Sequence, residues 1–394
     1  MKILHIVPSI SLIYGGPSQM VLGLAPALVN QGVEVTILTT DSNGDIGQKP
    51  LDVPLNCHVK QDGYEIIYFH CAPFRRYKFS LDLLKWLKRH AKEFDIAHIH
   101  ALFSPVSSAA AMVCRQQKLP YILRPLGTLD PADLRKKKRL KQLYIALLER
   151  GNIAAASAIH FTSDQEAKIS ERFGVFTKDL VIPLGVIPPQ SPLQQQGSLV
   201  RSQLGIAEGV PLILFMSRID PKKGLNLLIP ALEKLLDDGL KFHFVLAGTN
   251  PQDPAYEQNI KSQIKNSPLR SHTTITGFVT GDAKASLLQA ADLFVLPSYY
   301  ENFGIAVAEA MVAGTPVVIS DQVHICHQVR ESQSGWVGAT DVTELVELLQ
   351  EALQNPTECQ QRGLNAQEYA LKNYSWSAIA RQTIQAYEKI LLKH

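Results

Sequence analysis

"LFVLPSYYENFGIAVAEAMVAGTPVVIS", residues 293–320, sets an apolar run, a polar turn, a helix-like run and a second apolar run in series. "LFVLPS" (293–298) and "PVVIS" (316–320) are short and do not alternate, the pattern of strands buried on both faces of a parallel sheet. "YYEN" reads as the turn at the carboxyl end of the first strand, and "FGIAVAEAMVAG" as a helix ending near Gly314. This strand–turn–helix–strand unit is half of a doubly wound sheet.

The same alternation runs through the chain. Earlier β-rich runs stand at 2–7, 33–38, 65–70, 96–100, 121–125 and 158–163, and later ones at 212–217, 242–248 and 273–278. Helical spacing separates the later runs, as at 224–240 and 282–291. The Pro- and Gln-rich "VIPPQSPLQQQGS" (186–198) predicts a linker. A chain of 394 residues exceeds the usual single core. The predicted fold class is therefore α/β, with two Rossmann-like doubly wound domains, 1–190 and 198–373. They are expected to face each other across a cleft, with ligand at the carboxyl ends of the strands.

Composition narrows the function. A net charge of +3 gives no reason to expect nucleic acid as a partner. No apolar run approaches bilayer length. The N-terminus runs straight into a strand, and Cys57, Cys71, Cys114, Cys326 and Cys359 show neither metal-ligand nor redox spacing. A cytoplasmic protein with reduced thiols is expected. His324, Cys326 and His327 crowd into one turn and cannot all converge on an ion, so no metal site is expected there.

Two glutamates in the opening stretch call for a reason, because an ionised carboxylate in apolar surroundings needs a partner. Glu301 falls beside the helix N-terminus, and Glu309 lies about one turn deeper, roughly 5 Å along the axis. The free amides of Asn302, Phe303, Gly304 and Ile305 form an anion site, with Gly304 allowing close approach. A phosphate flanked by hydroxyls, as in a sugar nucleotide, suits that layout. The competing reading has Glu301 as a cap and Glu309 on a solvated face.

Other segments decide between the two. "SRIDPKKG" (217–224), after the first strand of the second half, offers Arg218, Lys222 and Lys223 to a diphosphate. Gly15-Gly16 forms a short turn after the first strand of the chain, although no G-x-G-x-x-G occurs. Taken singly, each is equally a solvated turn.

Together these segments resemble the retaining, nucleotide-sugar-dependent glycosyltransferases of family 4, of GT-B fold and of the bacterial and cyanobacterial exopolysaccharide type. The resemblance spans "GGPSQMVLGLAPALVNQGVEVTILT", "DIAHIHA", "SRIDPKKG", "FVLAG", "ITGFV", "ENFGIAVAEAMVAGTPVV" and "YSWSAIARQTIQAYEKIL". It implies that Glu301 contacts the donor sugar, Glu309 the ribose, and Arg218 and Lys223 the diphosphate. Gly248 would line the nucleotide site, and the backbone around Gly277 and Phe278 would meet the base. His100 would stand near the transferred sugar, whereas His98 reads as a buried structural histidine. The terminal helix, 374–394, would cross back to the first domain. "PLGVI" (183–187) and Gln328 depart from the family's common polar residues, which bears on donor detail.

The resemblance further implies a UDP-sugar donor, most often UDP-glucose, and a glycan or polyprenyl-linked acceptor. No D-x-D triplet occurs, so no metal cofactor is expected and the positive charge must come from the chain itself. Front-face transfer, assisted by the leaving phosphate, is the implied route. A nucleotide-sugar epimerase, a Rossmann oxidoreductase and a silent nucleotide-sugar binder are the alternatives. Finally, "LRKKKRLKQLYIALLER" (134–150) and "FRRYKF" (74–79) interleave basic with apolar or aromatic residues. They read either as an anionic-membrane surface or as solvated helix faces.

Overall fold

The computed structural model describes residues 1–14, 16–44, 48–72, 78–135, 138–189 and 193–393. The chain forms two compact units, residues 1–185 with 376–394 and residues 186–375.

The first unit is built on an eight-stranded sheet. Its strands are β1 (Lys2–Ile6), β2 (Glu34–Thr40), β3 (His58–Gln61), β4 (Tyr64–Phe69), β5 (Ile96–His100), β6 (Tyr121–Arg124), β7 (Ala158–Phe161) and β8 (Asp179–Val181). The order is β3-β4-β2-β1-β5-β6-β7-β8. All pairings are parallel except β3–β4, a hairpin turned by Asp62 and Gly63, both at positive φ. Burying both faces requires two apolar cores. One gathers Ile3, Val35, Ile37, Ile96 and Ile122, and the other Leu4, Leu38, Ile67, Ala97 and Leu123.

The helix Trp376–Leu391 completes the first core with Ile379, Ala380, Tyr387 and Ile390, and it lies against the helix Gly16–Val29. Trp376 fixes its start. A Cβ on Gly23 would come within 2.3 Å of the indole, and one on Gly185 within 2.2 Å. Only glycine leaves room on both sides of that ring.

The second unit has six strands: β9 (Leu212–Met216), β10 (His243–Ala247), β11 (Thr273–Gly277), β12 (Leu293–Leu296), β13 (Val317–Ser320) and β14 (Gly335–Gly338). They pair in parallel in the order β11-β10-β9-β12-β13-β14. The residues of β9, β12 and β13 are buried throughout, as their unbroken apolar runs require. In each unit the order reverses at the first strand, β1 or β9, which opens a crevice at the carboxyl edge of its sheet.

The expected linker is only partly loop. Residues 190–192 lie outside the described set, but Leu193–Gln203 is helical and packs on Gly281–Ala290. Glutamine and leucine are good helix formers, and this property outweighs the low complexity of the run.

Candidate active site

In the second unit the carboxyl ends of β9 and β12 bring the expected ligand residues together. Gly304 has φ 83° and begins the helix Ile305–Val312. The left-handed backbone is what demands glycine there, since an added Cβ would meet Val323 at 3.0 Å and Val307 at 3.4 Å. The expected reason, close approach by a ligand, is thus joined by a conformational one. Phe303 is 2 % exposed and packs edge-on against Tyr374, so its side chain is core and only its backbone faces the turn. The amides of Val307 and Ala308 donate to Gly304 O (2.9 and 3.1 Å), so the helical amides left without an intrahelical acceptor are those of Ile305 and Ala306.

Glu301 is pinned by backbone bonds on both sides. Its amide donates to Gln322 (3.1 Å) and its carbonyl accepts from His324 (3.0 Å). Its carboxylate contacts Lys223 Nζ, with both side chains largely buried. Burial and then the Arg218 charge push the Lys223 ammonium down to about 8, while Asp220 works the other way. The Glu301 carboxylate in contact with it also favours the cation, so Lys223 carries its charge at neutral pH. Lys223 closes a short turn, Pro221–Lys223, capped by Asp220. Arg218 is half-exposed, bonded to Gln252 Oε1 (2.9 Å) and 3.8 Å from Asp220.

Glu309, in the second helical turn, holds Lys284 Nζ at 2.6 Å. Both side chains are partly exposed, so a hydroxyl-bearing ligand can replace the lysine there. Gly248 is set by the sheet itself, because a Cβ there would lie 1.9 Å from Ser217 O. Gly248 N donates to Gly277 O (2.7 Å), and Phe278 beside it is 76 % exposed.

In the first unit, Gly15 lies outside the described residues and Gly16 is the first residue of its helix. His100 ends β5 and is 1 % exposed. The chain after it is conformationally tight, with Ala101 (φ 66°) and Phe103 (φ 58°) both left-handed. Glu149 stabilises this loop. Its carboxylate accepts from Phe103 N (3.0 Å) and Ser108 Oγ (2.6 Å), and burial raises its pKa against those bonds. Glu149 reaches this position from a π-helical turn, Ile145–Glu149. Nothing in the sequence pattern marks that turn.

His100 also belongs to a polar seam in the first core. His5 of β1, His98 and His100 of β5, Arg124 of β6 and His160 of β7 are all at most 2 % exposed. Burial, reinforced by the Arg124 charge, lowers His5 to about 3; the other three rings are lowered too, chiefly by burial. Ligand-capable atoms of His5, His98 and His100 lie within 4.8 Å of one another, which is the one such group among the described residues. His98 has both nitrogens engaged, with Tyr387 Oη (2.7 Å) and His160 Nδ1 (3.1 Å). With those bonds and the nearby Arg124 cation, the seam is a hydrogen-bonded network of neutral rings. His5 and Arg124 carry no motif and were not foreseen.

Comparison with known proteins follows this division. "Glycosyl transferase 4-like domain" matches residues 15–185 and "Glycosyl transferases group 1" residues 198–369. A D-inositol 3-phosphate glycosyltransferase of Nocardia farcinica is 24% identical over 96% of this chain and 85% of its own length. An uncharacterized glycosyltransferase of Methanocaldococcus jannaschii is 29% identical over 48% of this chain and 47% of its own length. In fold, the chain is similar to Anabaena HepE solved in complex with UDP, with TM-score 0.77, 20% identity, and coverage of 99% of this chain and 100% of that one. The chain belongs to the family 4 glycosyltransferases of GT-B fold.

Proposed function

We propose that the protein transfers a hexose, glucose by preference, from a UDP-sugar to a glycan or polyprenyl-linked acceptor of cell-envelope or exopolysaccharide synthesis, with retention at the anomeric carbon. One observation carries this reading. The Lys223–Glu301 pair stands beside the open N-terminus of Ile305–Val312, with Glu309 one turn further along. That is a cation, an anion-seeking backbone and two hydroxyl acceptors at one sheet edge, the complement of a diphosphate between two sugars.

Arg218 and Lys223 neutralise the leaving diphosphate, so no divalent ion is required. Glu301 accepts from hydroxyls of the donor sugar and Glu309 from the ribose, displacing Lys284. His100 contacts the transferred sugar. As the bond from the anomeric carbon to the phosphate oxygen breaks, the acceptor oxygen attacks the same face and its proton passes to that phosphate oxygen. HepE, solved with UDP-glucose, supports the choice of donor. The first unit supplies a cavity of about 510 Å³ lined by Leu134, Ile145 and Phe173 with Arg135, Lys141 and Arg150. An apolar acceptor tail with an anionic head suits it, which favours work at the inner face of a membrane.

Thermal shift across UDP-, GDP-, ADP- and dTDP-sugars tests this. Saturating UDP-glucose, at 100 times its Kd, should stabilise by about 2.7 kcal/mol. A larger shift with another base, or activity lost with EDTA and restored by a divalent ion, would refute the assignment.

A further inference from the structure

The histidine seam carries more than a buried structural role. Its bonds fix its protons. His160 Nε2 lies 2.9 Å from Ile182 O, which can only accept, so that nitrogen bears the proton. His160 Nδ1 is then bare in the neutral ring and accepts from His98 Nε2–H. His98 Nδ1, bare in turn, accepts from the Tyr387 hydroxyl. These three groups form one closed series in which every polar atom is used.

His100 stands outside that series. Its Nε2 has a single partner, His5 Nδ1, at 3.0 Å. His100 Nδ1 and His5 Nε2 are buried and have no partner. One proton therefore sits on the His5–His100 bond, and it determines both rings. If His5 donates, both rings are Nδ1–H tautomers; if His100 donates, both are Nε2–H. Either way the bond to His5 couples the two rings, and the placement of its proton decides whether the free nitrogen of His100 offers a proton or a lone pair. The rings are stacked, with centroids 5.3 Å apart and planes 22° apart, so His5 also fixes the ring's orientation.

We infer that His5 is a positioning residue for transfer: it sets the tautomer and plane of His100, and so whether the buried, unpartnered Nδ1 of His100 offers the transferred sugar a proton or a lone pair. The inference rests on the reading that His100 contacts that sugar. It assigns His5 no contact with substrate.

Isosteres separate positioning from bulk. An asparagine carboxamide places a polar atom where His5 Nδ1 stands, a glutamine places it near Nε2, and phenylalanine only fills space. His5→Asn should keep kcat near wild type. His5→Gln and His5→Phe should lower kcat by about tenfold to a hundredfold, with donor KM within about twofold. In 15N-histidine spectra His98 and His160 should be Nε2–H, and His5 and His100 should share one tautomer. His5→Phe should move the His100 nitrogen shifts, whereas His5→Asn should hold them. Equal kcat in all three variants with unmoved His100 shifts overturns the inference. Losses in all three that follow melting temperature alone also overturn it, since a structural role does only that. If His5→Phe moves the His100 shifts and His100→Ala keeps full activity, His5 still orders the ring and the sugar contact of His100 is what fails.

Discussion

Acid should open the first unit before the second, and the four buried histidines set the scale. His5 binds its proton with a pKa near 3 in the fold against 6.5 in an unfolded chain. Such a group stabilises the fold fully above pH 6.5. The contribution is lost as pH falls from 6.5 toward 3, because the unfolded chain then takes a proton that the folded one refuses. At about 1.4 kcal/mol per pH unit, the step from pH 6.5 to 5 costs roughly 2 kcal/mol for His5 alone. His98, His100 and His160 are displaced in the same direction and add to it. Domains are stable by about 5–15 kcal/mol, so the His5 contribution alone is a sizeable share of the unit's stability, and the other three rings act in the same direction. Urea titration at pH 7.5, 6.5 and 5, with hydrogen exchange followed separately in β1, β5, β12 and β13, measures it. With a slope of about 2 kcal/mol/M, the His5 term alone moves the first-unit midpoint by about 1 M. β12 and β13 contain no histidine and should respond far less. His5→Asn should flatten the pH slope by up to about 1.4 kcal/mol per unit. Stability of β1 and β5 that is unchanged between pH 7.5 and 5 would refute the neutral, buried seam.

Gly185→Ala should destabilise the first unit by about 1–3 kcal/mol, because its Cβ would lie 2.2 Å from Trp376, and calorimetric melting checks it. Glu149→Ala leaves the Phe103 amide without its acceptor, while Ser108 Oγ keeps Ser104 O (3.0 Å); a loss of about 1–3 kcal/mol is expected, with faster exchange in residues 101–104. The protein should sediment with anionic vesicles at low salt and be released at high salt, and Arg135→Glu with Arg150→Glu should abolish sedimentation while sparing UDP affinity. Equal sedimentation with zwitterionic vesicles would contradict that membrane reading.

Most of the fold can be read along the chain, because buried parallel strands are continuous apolar runs and the helices between them keep their own period. β3, β8 and β14 escaped that reading, β8 because it is only three residues long. β3 is exposed and polar, yet "QDGY" (61–64) carried the turn signal Asp62-Gly63 for its hairpin. β14, "GWVG", has too few apolar residues to stand out. Lys223, Glu301 and Glu309 stand out in the sequence because phosphate chemistry calls for those residue types at a strand's carboxyl end, and the structure places them at one sheet edge. Their side-chain partners, Glu301 for Lys223 and Lys284 for Glu309, depend on side-chain reach that spacing does not encode. His5 and Arg124 escaped for a different reason. A histidine or arginine in an apolar strand looks the same whether it is alone or one of five across neighbouring strands, and register alone reveals the seam. Phe74, Arg75, Arg76 and Tyr77, and the side chains of Lys136, Lys137 and Lys138, from the two basic stretches, lie outside the described residues, as does Gly15.

The central claim is that the edge of β9 and β12 holds a UDP-sugar through Lys223, Glu301 and Glu309. Titration calorimetry with UDP-glucose tests it most directly, on the wild type, Lys223→Ala, Glu309→Ala and His100→Ala. Lys223→Ala and Glu309→Ala should each weaken binding by about 1.5–3 kcal/mol, roughly tenfold to a hundredfold, the cost of a lost hydrogen bond to a charged group. His100→Ala should bind within about threefold of wild type while losing transfer. Undiminished affinity in both Lys223→Ala and Glu309→Ala would contradict the account.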